Sequence, residues 1–431
     1  MGETLRPADM KLEPYWWDAA PPTALPAIDL PKKVDAVVVG AGYTGLGAAL
    51  TLARATRDVL VCEAEATGWA ASSRNQGHIG INRQSFGQLA EKCGKAKAAA
   101  IVREELNSVD FIFDLIEREK IECHLRKSGR FVAAARAGHY DMLAREMETL
   151  KREVGYEADM VPRAEVRREL ATDAYFGGEV RRREGSVHGA MLQAGLLKNV
   201  MAAGGRVTSG TRVTRIERQK DGFVVHTPRG AVAARDVVIA SDSLTGNLVP
   251  ALGRRIIPLS AGGIATEPLS LDRIRSVIPG LRPCVDTLKL AHSMRPAPDH
   301  SRLIFGGRAT MRDSDPHTSG ERIFQLAKRI FPQLDGVRLS HSWLGTIGYT
   351  FQKRPHIGLR DGIHYAVGYS GYGAAMAPYM GHKIGLRILR ANDAGTAFDD
   401  LPFDTRPLYY GKPWFLPITV LYYRYKDWAA K

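Results

Sequence analysis

Gly40, Gly42 and Gly45 stand as G-x-G-x-x-G in the stretch VVVGAGYTGLGAAL, residues 37–50. The first glycine permits a tight turn, the second lets the backbone approach a pyrophosphate, and the third lets a helix pack closely on a strand. Tyr43 and Thr44 lie inside the turn, and the helix that follows offers free N–H groups and positive potential to phosphate. Glu63 ends the next apolar run, eighteen residues after Gly45. A carboxylate there can accept hydrogen bonds from ribose hydroxyls. The same acid disfavours a 2′-phosphate, so the pattern predicts FAD or NAD and not NADP.

A second glycine-rich stretch, GYSGYGAAMAP (368–378), also reads as a strand turning into a helix. Gly371 and Gly373 would let backbone N–H groups reach a flat ring, with the helix from about Ala374 aiming its positive end at it. Between the two stretches lies GWAASSRNQGHI (68–79), in which Ala71, Ser72, Ser73, Asn75, Gln76 and Gly77 offer hydroxyl, amide and backbone donors to a diphosphate. Arg74 adds charge. The two glycine stretches are expected to hold opposite ends of one nucleotide.

Taken in order with further segments, these stretches resemble the FAD-dependent amine and amino-acid oxidoreductases of the D-amino-acid oxidase type. The nearest branch resembled is that of γ-glutamylputrescine oxidase and the glycine/D-amino-acid oxidase-like deaminating enzymes. The further segments are REGSVHGAMLQAGL (183–196), DVVIASDSLTGNLVP (236–250), RPAPDHSRLIFGGR (295–308) and WLGTIGYTFQKRPHIG (343–358). Four positions depart from the family pattern: Gly189 replaces proline, Asp242 asparagine, Gln352 an acid and Tyr372 histidine. The resemblance covers roughly residues 34–390 and implies FAD, held without a covalent link, with contacts extending to Val213, Ser241, Gly345 and Tyr372. It also implies oxidation of a C–N bond: hydride leaves the carbon beside an amine, and the resulting imine hydrolyses. Electrons would pass to O2, forming H2O2, or to another acceptor.

For that reaction we expect His78 to contact substrate or act as a base, and Arg308 to meet a carboxylate bidentately. Lys289 would supply the positive charge that helps oxygen react. Tyr372, His292, Trp343 and Tyr369 would form an aromatic wall around the amine.

The elements that must position these groups follow from pattern. VDAVVVG (34–40) and DVLVCE (58–63) read as strands buried on both faces, joined by a helix over 45–56. Helical spacing dominates 87–155, broken by a strand at 129–135, and returns over 189–205, 320–331 and 374–390. Short alternating segments fill 206–241. The fold class expected is α/β: a discontinuous Rossmann-type FAD-binding domain (34–86, 184–246, 346–395) and an α+β substrate domain with a mixed or antiparallel sheet (87–183, 247–345). An arm (1–33) reads as an extended lead-in, and a tail (396–431) is expected to pack across the domains.

Composition narrows the class. The 431 residues are 45% apolar and 25% charged, ordinary for a globular protein, with a formal net charge of +14. Cys62, Cys93, Cys123 and Cys284 are scattered without a C-x-x-C pair, which argues against a disulfide framework or zinc site and suits a reducing compartment. No metal is expected. The N-terminus lacks the apolar run of a signal peptide, and no stretch approaches the length of a membrane span. We therefore expect a cytoplasmic protein acting on a small amine or amino acid. Less favoured are a flavoprotein acting on an amine borne by nucleic acid, a non-catalytic flavin-binding protein, and an NAD-linked dehydrogenase. The basic residues are not clustered enough to predict nucleic-acid binding.

Overall fold

The strand Lys33–Val39 alternates between two cores: Ala36 and Val38 enter one, Val34, Val37 and Val39 the other. That double burial is what a central parallel strand requires. In the computed structural model, which describes residues 10–82, 85–307 and 315–429, it pairs in parallel with Val59–Cys62 and with Gly230–Ile239. The sheet runs His356–Arg360, Ile363–Val367, Gly230–Ile239, Lys33–Val39, Val59–Cys62, Arg206–Thr208. All its neighbours are parallel except the edge hairpin of His356–Arg360 with Ile363–Val367. Gly222–Thr227 and Arg215–Gln219 extend Gly230–Ile239 as an antiparallel ribbon. The expected Rossmann-type arrangement is therefore present.

A second sheet runs Leu339–Thr350, Ile256–Thr266, Leu303–Gly307, Ser293–Pro296, Cys284–Asp286, Arg130–Ala133, Gly177–Arg181, Asp159–Pro162. It is antiparallel except where Cys284–Asp286 meets Arg130–Ala133. Helix Pro316–Ile330 covers one face through Ile323, Phe324 and Ala327. Leu339–Thr350 pairs along its whole length with Ile256–Thr266, so this strand runs unbroken through the boundary expected at 345/346. A short pair, His78–Ile79 with Gly185–Ser186, lies apart from both sheets.

One helix crossing joins the two glycine stretches. Helix Tyr43–Arg54 follows the first, and helix Gly373–Leu389 follows the second. A Cβ on Gly47 would lie 2.5 Å from the Pro378 carbonyl oxygen, and one on Gly381 would overlap the Thr44 carbonyl. The helices thus meet backbone to backbone. Thr44 Oγ1 and the Tyr369 hydroxyl, 2.6 Å apart and buried, close the same junction.

The N-terminal arm is more than a lead-in. Residues Tyr15–Asp18 form a 3-10 turn that buries Trp16 against Trp343, Ala190, Ala265 and Ile304. Lys11 hydrogen-bonds through its main chain to Ser340 and Ser342 of the second sheet. In the C-terminal segment, helix Leu416–Ala429 touches Lys289 and Leu290 through Asp427, and Lys353 through Tyr423.

Replacing Gly381 with valine should force the crossed helices apart and cost about 1–3 kcal/mol of stability. Urea unfolding would measure the loss, with Gly395→Ala, a site with open space around it, remaining at the parent value.

Candidate functional site

At the first glycine stretch, Gly40 adopts φ +103° beside Ala240, a conformation natural to glycine, and a Cβ on Gly45 would overlap the Gly40 carbonyl. Glu63 accepts the Ala41 N–H at 2.8 Å and the Glu65 N–H at 3.1 Å, which pins its carboxylate at the tip of the parallel sheet. The Tyr43 N–H donates to Ser72 Oγ at 3.0 Å, and the Tyr43 hydroxyl to the Gly189 carbonyl at 2.8 Å. Gly42 caps the helix without a side chain, and a Cβ there would lie 3.1 Å from Ser72 Oγ.

The loop that follows is held by the N-terminal arm. The Trp17 indole N–H donates to Ser73 Oγ at 2.9 Å. Arg74 donates to the Trp69 carbonyl (2.7 Å) and the Leu344 carbonyl (3.0 Å), and stacks on both Trp17 and Trp69. Arg74 was expected to offer charge to a diphosphate; its guanidinium is instead engaged by protein carbonyls and two indoles, and burial lowers its pKa. Asn75 caps its own turn, donating to the Ser72 carbonyl (2.8 Å) and accepting the Gly77 N–H (2.8 Å). Ala71 begins the short helix Ala71–Arg74.

Beyond Asn75 the chain meets the second sheet. Gly263 and Gly306 are paired on adjacent antiparallel strands, and Gln76 lies against both: their Cβ atoms would fall 2.6 and 2.8 Å from the Gln76 amide nitrogen. A floor without side chains thus underlies that amide. Gln76 Oε1 and His78 Nε2 are both buried and have no hydrogen-bond partner among the described residues. Ser293 lies on this face too, its Oγ 2.7 Å from where a Gly306 Cβ would sit. Burial, then Arg295 and Arg130, hold His78 far below the usual imidazole range, so its ring is neutral.

Arg295 locks the arrangement. Only 1% exposed, it donates to the carbonyls of Gln76 (3.1 Å), Gly77 (3.2 Å), Val187 (2.9 Å) and Pro296 (3.1 Å) and stands over Trp16. Its hydrogen bonds among the described residues all go to main-chain oxygens, which stabilise the cation without a carboxylate. Burial, and then Arg126, lower its pKa to about 9, which still leaves it charged at neutral pH.

At the second glycine stretch Asp242 is the hub. It accepts the Gly368 N–H at 2.6 Å and faces the backbone N–H groups of Ser243 and Gly348. Three N–H donors suit a carboxylate, which accepts at both oxygens, better than the asparagine of the family pattern. Gly371 takes φ +98°, and Gly373 is the first residue of its helix, with Tyr372 at the cap making no side-chain capping bond. Ser241 Oγ lies 2.9 Å from Thr245 Oγ1, Val213 is in the core beside the parallel sheet, and a Gly345 Cβ would touch Arg74 Cβ at 3.3 Å.

Several expected contacts do not converge on the Gln76 face. Trp343 does reach it, its ring against Gly263 beside Gln76 and its indole N–H donating to the Arg74 carbonyl, whereas Tyr369 joins Thr44. His292 pairs with the buried Asp286 at 2.6 Å, while its neighbour Ser293 faces Gln76. Burial alone would lower the His292 pKa, but the Asp286 hydrogen bond and charge raise it. Lys289 is exposed, its main-chain N–H bonded to Asp427. Arg308 lies outside the described residues. Ser293 carries no signal in the sequence, and Gln352, named only as a departure from the family pattern, has its amide nitrogen and oxygen both buried and without a partner among the described residues. The signal for Gln352 was its departure from an acidic position.

Two outcomes follow from these partners. Arg295→Met should leave buried carbonyls unpaired and cost about 3 kcal/mol or more, read by urea unfolding. Burial lowers the pKa of eight histidines, furthest at His78, as above, and at His188, His356 and His382, each of these three from 6.5 to about 4. Their folded values lie below the unfolded one, so the unfolded state binds more protons between these limits. Stability should therefore fall as pH drops below about 6.5, each histidine adding at most about 1.4 kcal/mol per pH unit. An unfolding midpoint that does not move between neutral and mildly acid buffer would contradict this.

Residues 35–385 match the model of the family described as FAD dependent oxidoreductase (DAO). The γ-glutamylputrescine oxidoreductase of Escherichia coli (strain K12) is 32% identical over 400 residues, covering 91% of this chain and 92% of the relative. Among solved structures, the glycine oxidase of Geobacillus kaustophilus superposes with a TM-score of 0.71 at 22% identity, over 88% of this chain and 99% of the other. An L-amino acid deaminase from Proteus vulgaris gives 0.70 at 17% identity, over 85% and 92%. With its glycine loop, terminal acid and parallel sheet in place, the chain belongs to the FAD-dependent oxidoreductase family of the D-amino-acid oxidase type.

Proposed function

We propose that this FAD-dependent enzyme oxidises the C–N bond of a small amine or amino acid beside the loop that carries Gln76 and His78. The observation that carries this reading is the pair of buried polar atoms on one loop, Gln76 Oε1 and His78 Nε2, that have no hydrogen-bond partner among the described residues. Buried polar atoms are nearly always hydrogen-bonded, so two orphans on one loop indicate a ligand that completes them.

The residues present fit FAD. Gly40, Gly42, Gly45 and the start of helix Tyr43–Arg54 would take the diphosphate, Glu63 the ribose, and Gly371 and Gly373 the ring end, with Gln76 beside it. FAD, when bound, supplies a two-electron acceptor that takes hydride from the carbon beside an amine nitrogen, leaving an imine that water hydrolyses. The chain itself supplies position and field. Neutral His78 offers one hydrogen bond without a charge. Arg295, a buried cation with no carboxylate among its hydrogen-bond partners, disfavours further positive charge and so selects the free-base amine. Gln76 and Ser293 offer polar contacts that orient the substrate. The relatives' names motivate γ-glutamylputrescine, glycine and other amino acids as candidates. The ring would be held without a covalent link. Four free cysteines, three of them buried, support a reducing, cytoplasmic setting.

Anaerobic mixing with a panel of γ-glutamylputrescine, putrescine, glycine and D- and L-amino acids should bleach the flavin band near ~450 nm with at least one of them. Bleaching by none would sink the oxidation reading. Gln76→Leu should lower kcat/KM by about 10–100-fold for the substrate found, the worth of one hydrogen bond in a dry site.

A further inference from the structure

Helix Leu416–Ala429 has two opposite faces of different character. Val420, Tyr423 and Asp427 face the protein: Val420 is buried, and the Tyr423 hydroxyl accepts from Lys353 Nζ at 3.1 Å. Asp427 accepts the main-chain N–H groups of Lys289 (2.8 Å) and Leu290 (3.2 Å), while Arg136 donates to its carbonyl at 2.8 Å. These contacts hold the helix in one rotation. Ile418, Leu421, Tyr422, Tyr425 and Trp428 then face outward, recurring at helical spacing, with exposures from 52% for Tyr422 to 70% for Trp428. Trp414, 61% exposed, extends the strip toward the preceding segment.

A continuous outward strip of this kind marks a contact surface and not ordinary scatter. Its chemistry selects the partner. Lys412, Arg424 and Lys426 flank the rings, with Lys426 5.6 Å from the Tyr422 ring, and the helix's one acid, Asp427, is turned inward. The chain as a whole carries +14. A second copy seated on this face would bring like charge against like charge. Trp and Tyr rings beside Lys and Arg are instead what an amphipathic helix lying in a lipid headgroup layer presents. At 14 residues the helix lies along such a surface, and among the described residues no helix is long and apolar enough to cross it.

We propose that the outward face of helix Leu416–Ala429 docks the enzyme on an anionic lipid bilayer, with the rings in the headgroup region and the flanking cations on lipid phosphates. The test is flotation of the full-length holoprotein with vesicles of phosphatidylcholine containing about 30% phosphatidylglycerol, against phosphatidylcholine alone. The parent chain should float with the anionic vesicles, less so at high salt and much less with the neutral ones. A variant carrying Leu421→Ser, Tyr425→Ser and Trp428→Ser should bind about tenfold more weakly or worse, with flavin content and unfolding temperature unchanged. If that variant loses flavin, Trp428→Ser alone, at the most exposed ring, serves as the second probe and should also bind more weakly. Lys412→Ser with Lys426→Ser should lose about tenfold on anionic vesicles only. The proposal fails if the parent does not float with anionic vesicles, or if both ring variants bind as it does. It also fails if light scattering shows a dimer that the ring variants abolish while vesicle binding stays absent.

Discussion

Everything at the nucleotide end depends on one contact made without side chains. Helix Tyr43–Arg54 and helix Gly373–Leu389 touch at Gly47 and Gly381, where any Cβ would strike the other helix's backbone. Close approach of this kind is what glycine allows and every other residue forbids. It sets the start of the first helix against the middle of the second, at Gly381. The buried pair of Thr44 with Tyr369 then fixes their relative height. Two segments distant along the chain thereby meet at one edge.

The second sheet is tied to that edge by a cation without an acidic hydrogen-bond partner. Arg295 reaches from Ser293–Pro296 to the carbonyls of Gln76 and Gly77, and to Val187 beside the short strand pair. A buried guanidinium is costly unless its donors are met, and here main-chain oxygens meet them. The arrangement joins the loop and sheet, and places a positive charge beside Gln76 and His78. Structural attachment and the site's electrostatics are thus the same interaction. By contrast, His292 pairs with Asp286 within the sheet, 2.6 Å apart.

The ends of the chain finish the site from outside. The arm residues Trp16 and Trp17 hold the loop 71–77 from one side, Trp17 through Ser73 and Arg74. The C-terminal helix is fastened near the loop that carries Lys289. A proline-punctuated arm and an aromatic tail gave little local signal because their order comes from packing against distant strands.

What the sequence by itself determined is the nucleotide-binding frame. A β-branched run before Gly40, a small-residue helix after it and an acid at Glu63 are local patterns, and local stereochemistry suffices to read them. The same holds for the helices at 95–118, 137–154 and 189–202, whose apolar spacing is strong. Only the tertiary structure decided which polar groups face the site. Tyr369 and His292 looked like wall residues in one dimension, yet Thr44 and Asp286 draw them elsewhere, while Trp343 packs on Gly263 beside Gln76. Ser293 carried no mark in the sequence, because its position depends on a cross-strand register with Gly306. Residue type and spacing constrain what a segment can be; which way a side chain faces depends on pairings made far along the chain.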